Sequence, residues 1–220
     1  MAVVELRQYT LHPGRRDALI DLFEREFVES QEAVGMTLIG QFRDLDDPDR
    51  FVWLRGFPDM EARRRSLEAF YFGPVWQAHR EAANATMVDS DNVLLLKPLE
   101  DDPDFPLGER APTGAAGPGP GRVLAGVHAL TGPDDPLPDR FRQTAVPALR
   151  QAGAISISAL VTGTAANTFP QLPVREGEPV LVWLAAFTDP EAVDAARPLF
   201  PEQSIQRLRL EPTARSRLHG

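Results

Sequence analysis

The stretch RFVWLRGFPDMEA (residues 50–62) returns as PVLVWLAAFTDPEA (residues 179–192), with Trp183 standing where Trp53 stands. In the first occurrence a run of period-two strand character passes through Pro58 into a helix, with Asp59 placed as its N-cap and Glu61 in its first turn. Three more segments repeat on either side. QYTLHPG (8–14) is echoed by VHALTGP (127–133), ESQEAVGM (29–36) by VPALRQAGA (146–154), and LLLKP (94–98) by LRLEP (208–212). Four matched segments in one order make the chain two diverged copies of a single module.

Each copy reads as β-α-β-β-α-β. In the first, a strand over Val3 to Leu11 turns at His12 to Gly14 into a helix from about Arg16 to Ala33. Strands Thr37 to Arg43 and Arg50 to Phe57 flank a polar hairpin loop. A second helix is interrupted at Gly73-Pro74, and Asp91 to Lys97 closes the module. The second copy is shorter after its DPEA segment. The predicted layout is a first module over 1–99, an acidic then Pro/Gly-rich linker over 100–121, a second module over 122–212 and a disordered tail over 213–220. A β-α-β-β-α-β unit carries both helices on one sheet face, so the other face needs a cover. Two modules facing each other supply it. The expected fold class is α+β, two tandem ferredoxin-like modules closing a barrel of the dimeric α/β type as a pseudo-dimer.

A chain of 220 residues with 43% hydrophobic content builds a real core, and a net charge of -9 argues against nucleic acid or an anionic membrane surface as partner. There is no cysteine, which removes disulfides, thiolate nucleophiles and Cys-based metal sites. No signal-peptide pattern and no long apolar run is visible, so a cytoplasmic location is expected. His12, His79, His128 and His219 lie at no metal-ligand spacing, and no phosphate-binding glycine loop or nucleophile elbow is present. No cofactor and no metal are expected. A homodimer stays open.

VELRQYTLHPGR, FVWLRGFPDMEAR and PVWQAHREA together resemble the NIPSNAP family of the dimeric α/β-barrel superfamily, over roughly residues 2 to 98. The most specific part is the strand pattern Glu-x-Arg-x-Tyr-x-Leu-x-Pro-Gly, here Glu5 to Gly14. The resemblance implies ferredoxin-like modules paired into a barrel and says little about activity. Relatives in the superfamily include cofactor-free monooxygenases, dehalogenase- and isomerase-like enzymes, and haem proteins.

Strand alternation sorts Glu5, Arg7 and Tyr9 onto one face and Val4, Leu6 and Gln8 onto the other. The charged face, joined by Phe51, Trp53 and Arg55, is expected to point into the barrel, as the wall of a site for a planar organic molecule. Glu5, Arg7, Gln41, Trp53, Arg55, His79 and Trp183 are the candidate substrate-binding residues. His79 shares a helix face with Trp76. In the second copy His128 aligns with Tyr9, while Gly126 and Leu124 stand against Arg7 and Glu5. His128 is thus the candidate general base, with Tyr9 and Arg7 or Arg55 orienting the substrate or stabilising developing oxyanion charge.

Two functional readings follow. In one, the protein is a cofactor-independent enzyme of monooxygenase, isomerase or cyclase type that abstracts a proton inside the barrel. In the other, it is a non-catalytic binding or scaffold protein whose barrel its own side chains fill. The enzyme reading needs a continuous cavity of roughly 300 Å³ or more lined by His128 and Tyr9.

Overall fold

In the computed structural model, which describes residues 1–99, 105, 107–199 and 204–220, eight strands close one antiparallel barrel. The first module contributes β1 (Val3–Leu11), β2 (Thr37–Asp44), β3 (Arg50–Phe57) and β4 (Met87–Pro98). The second contributes β5 (Arg122–Ala129), β6 (Ser156–Thr162), β7 (Val180–Phe187) and β8 (Ser204–Pro212). The order around the barrel is β1-β3-β2-β8-β5-β7-β6-β4, so each half has the ferredoxin-like order and the halves meet along two seams. At one seam Arg43 lies opposite Glu211, and at the other Lys97 lies opposite Val161. Pairing is therefore intramolecular, and closure leaves no free sheet edge.

The helices pack outside. In the first module α1 (Arg16–Leu22), a π-helical turn (Phe23–Phe27) and α2 (Val28–Glu32) run end to end, followed after β3 by α3 (Met60–Tyr71) and α4 (Pro74–Asn84). The second module has α5 (Leu137–Arg140), a π turn (Phe141–Ala145), α6 (Val146–Gln151) and the short α7 (Pro190–Ala196). The π turn recurs at the same place in both copies and presses Phe23, Phe27 and Phe141 into their cores. The N-cap also recurs. Asp59 accepts a 2.7 Å bond from the Ala62 N–H, and Asp189 a 2.9 Å bond from that of Glu191. Asp59→Ala is expected to cost about 1 kcal/mol in urea unfolding, with m unchanged.

The two faces of the sheet are the reverse of the sequence expectation. The barrel interior is a filled apolar core drawn from both modules, including Val4, Leu6, Val52 and Leu54 against Val123, Ala125, Val182 and Leu184. Glu5, Arg7, Tyr9, Trp53 and Arg55 lie on the outer face, under the helices. The reason is complementarity. The interior must be shared with the second copy, whose described side chains there are aliphatic apart from the uncharged Ser156, Ser158 and Gln206, so a charge pointing inward would find no counter-charge among the described residues. The helices of the first module do offer partners. One end of the barrel is closed by a reciprocal amide pair, in which Gln8 and Gln206 each donate to the other at 2.8 and 2.7 Å.

The C-terminal segment, expected as a disordered tail, is ordered. Leu218 enters the barrel core and its N–H bonds the Ile39 carbonyl at 2.8 Å. The buried Arg215 pairs with Glu29. The later part of the expected linker packs on it, where Arg110 donates to the Arg215 carbonyl at 2.7 Å and pairs with Glu32 at 2.6 Å. The acidic opening of that linker, residues 100–104 and 106, falls outside the described residues. Among the described residues no helix is long and apolar enough to cross a membrane.

Candidate functional site

The register between β1 and β3 sets Glu5 opposite Arg55, Arg7 opposite Trp53 and Tyr9 opposite Phe51. Alternation then gathers all six on the helix-facing side. Glu5 is fully buried and holds three guanidiniums. Its Oε2 accepts from Arg7 Nη1 at 2.9 Å and Arg55 Nε at 2.8 Å, and its Oε1 accepts from Arg63 Nε at 2.6 Å. Burial alone would raise the Glu5 carboxyl. Arg55, Arg7 and Arg63 overcome that and hold it far below the ordinary carboxylate range, so Glu5 is ionised and serves as an anchor rather than a base.

The outer partners extend the network. Arg55 Nη1 donates to Gln31 Oε1 at 3.0 Å, and Arg7 Nε donates to the Tyr9 hydroxyl at 3.1 Å. Arg55 also sits 5.0 Å from the centroid of Trp53, and Arg7 sits 5.5 Å from those of Tyr9 and Trp53. Burial raises the Tyr9 phenol despite the opposing pull of Arg7, so Tyr9 keeps its proton at neutral pH. Beyond this layer Tyr9, Phe23, Phe27, Gln31, Trp53, Phe70, Tyr71 and Trp76 line an aromatic pocket enclosing a cavity of about 30 Å³. That is room for a water or two.

The second module roofs the first. Its β6–β7 loop places Asn167 Oδ1 3.0 Å and Thr168 Oγ1 3.3 Å from Arg63 Nη1. Phe169, 3% exposed, stacks on Tyr71 at a centroid distance of 5.8 Å and an interplanar angle of 25°.

The expected base and phenol are not brought together. Tyr9 faces the first module's helices, while His128 faces those of the second and lines a separate cavity of about 30 Å³ with Leu137, Phe141 and Leu181. Its Nε2 accepts from Trp183 Nε1 at 3.0 Å. Indole N–H can only donate, so the neutral ring carries its hydrogen on Nδ1, and its lone pair is taken. Burial and then Arg207 push its pKa down to about 4. Gly126 makes room for the pair, because a Cβ there would lie 2.6 Å from Trp183 Nε1 and 2.9 Å from His128 Nε2. Trp183 thus belongs to this packing pair, not to the aromatic pocket.

Of the remaining candidates, Gln41 is buried beside its cross-strand partner Trp53, and its amide and the Trp53 N–H have no hydrogen-bond partner among the described residues. His79 lies outside the lining, at the rim, with Nε2 3.5 Å from Glu26. Sequence reasoning missed Gln31, Arg63, Tyr71 and the loop from Asn167 to Phe169. Only Arg63 carried a usable signal, through its helical spacing to the buried Leu67 and Phe70.

Residues 4–103 match the NIPSNAP family model. A NIPSNAP-like domain protein from Burkholderia xenovorans is 31% identical over 47% of this chain and 90% of its own, with a TM-score of 0.43. The chain belongs to the NIPSNAP family. The family model covers the module that holds the arginine cluster and the aromatic pocket. Over the whole of this NIPSNAP protein the likeness is one of fold alone. A proposed monooxygenase from Lactobacillus acidophilus shares 12% identity across 98% of this chain and 97% of its own, at a TM-score of 0.56. Another, from Fusobacterium nucleatum, shares 8% across 99% of this chain and 94% of its own, at 0.58. No curated protein matches the chain. Among the described residues no three His, Asp or Glu side chains are grouped to hold a metal ion.

Proposed function

We propose that this NIPSNAP protein binds a small planar organic molecule in the aromatic pocket of its first module, beneath the β6–β7 loop of the second. The observation that carries this is the pocket's composition. Rings from both helices and the sheet converge edge-to-face, for instance Phe23 on Trp53 at 4.9 Å and Tyr71 on Trp76 at 5.0 Å, around a polar floor of Tyr9 and Gln31. Phe169 of that loop stacks on Tyr71, one of the lining rings, and so covers that side of the pocket. An open hollow of about 450 Å³, lined by Leu95 and residues 162–166 and 174–177, lies at its base.

A monooxygenase, as the two full-length fold relatives are named, would need a base at the same place if it worked by proton abstraction without a cofactor. The protonated Tyr9 and the ionised, triply paired Glu5 do not supply one, which favours binding over proton abstraction.

The chain's three tryptophans give an internal control. Benzyl alcohol, a neutral aromatic probe, titrated into the labelled protein is expected to shift the indole N–H signals of Trp53 and Trp76 and leave that of Trp183 in place. Movement of Trp183 alone, or of none, would defeat the reading.

A further inference from the structure

The charges beneath the pocket do not balance. Arg7, Arg55 and Arg63 are each fully buried around the single carboxylate of Glu5, so three cations face one anion. Unpaired buried charge is strongly unfavourable, and guanidinium N–H groups without acceptors add to that cost. Arg7 Nη2 and Arg63 Nη2 are such groups, buried and without a hydrogen-bond partner among the described residues. Aromatic faces around Arg7 and Arg55 offset part of the excess, but among the described residues Arg63 is held on its outer side only by the neutral oxygens of Asn167 and Thr168. Burial pulls the Arg63 guanidinium below its ordinary pKa even with Glu5 beside it.

Those two acceptors belong to the loop whose Phe169 covers the Tyr71 side of the pocket. Displacing that loop would strip Arg63 of both acceptors and uncover the face of Tyr71. An anion entering there meets a planar fork of donors already oriented by Glu5, the geometry that suits a carboxylate. We propose that the ligand of this site is an aromatic or otherwise planar organic carboxylate, its ring among Trp53, Tyr71 and Trp76 and its carboxylate on Arg63 and Arg7 in place of Asn167 and Thr168. The Tyr9 hydroxyl, which accepts from Arg7 and keeps its own hydrogen, adds a donor at the same end.

This inference rests on the pocket reading above, and the test separates the two. Benzoate and its neutral isostere benzamide are titrated against the intact protein, with the Trp53 and Trp76 indole signals and calorimetry as readouts. Benzoate is expected to bind at least roughly tenfold more tightly than benzamide, and Arg63→Gln to abolish that preference. Equal binding of the two overturns the anion inference and leaves the pocket reading standing, whereas binding of neither removes both. Because Arg63→Gln can disturb folding, Asn167→Asp provides a second arm. It places a fixed carboxylate 3.0 Å from Arg63 Nη1, and is expected to raise the melting temperature and weaken benzoate by roughly tenfold or more. Unchanged benzoate affinity in Asn167→Asp would also overturn the proposal.

Discussion

Glu5→Gln is expected to lower the unfolding free energy by about 3–5 kcal/mol, a substantial fraction of the stability of an ordinary domain. The wild-type carboxylate is the common acceptor for Arg7, Arg55 and Arg63 at 2.6–2.9 Å, and the site has no exposure through which water could replace it. An amide of the same shape brings one oxygen and an NH₂ group that points at a guanidinium. The three cations then repel one another without compensation. Urea unfolding at pH 7 reads the loss directly. Adding Arg63→Gln to Glu5→Gln should restore part of it, because the double variant removes one of the stranded charges, and the non-additivity measures the coupling. Acid gives a second check. The folded carboxyl is depressed, so its stabilisation is complete above the unfolded value of about 4.3 and is lost as pH falls below that toward the folded value. The wild type should weaken more steeply in that window than Glu5→Gln, which keeps every other titrating group. Equal stability of the two proteins at neutral pH would mean that the network contributes nothing.

The same residues show how far a sequence can be read. Duplication was legible from four echoed segments, and duplication plus an uncovered sheet face was enough to reach the closed barrel. Alternation correctly grouped Glu5, Arg7 and Tyr9 with Trp53 and Arg55, but period two says which side chains share a face and not what that face meets. The deciding fact lay in the partner copy. Val123, Ala125 and Val127 offer only hydrocarbon across the barrel, so the matching face of the first copy had to be Val4 and Leu6. Arg63 stood in the sequence with helical spacing to Leu67 and Phe70, although one arginine in an Arg-Arg-Arg run gives little reason to choose it. Asn167 to Phe169 had no local signal at all. Their role depends on a seam between modules that brings the β6–β7 loop over α3, a contact more than a hundred residues apart in sequence.

Between pH 6.5 and 4 the wild type is expected to lose stability relative to His128→Gln, with a slope of no more than about 1.4 kcal/mol per pH unit, the limit for a single proton. The folded imidazole has its pKa pushed down to about 4, first by burial and then by Arg207, whereas the unfolded ring titrates at its ordinary value of 6.5. In this interval the unfolded chain takes up a proton that the folded one refuses. Acid therefore favours unfolding, and the difference levels off below the folded value. A glutamine oxygen can still accept from Trp183 Nε1, so the variant should stay close to wild type at pH 7 and diverge only on acidification. The comparison also tests the role of the residue. A catalytic base held ready for a substrate proton would have an open lone pair and a pKa near neutrality, and the two proteins would then respond alike to acid. A ring buried neutral to receive the Trp183 N–H makes them part company. Unfolding curves at pH 7, 5.5 and 4.5 decide between these outcomes.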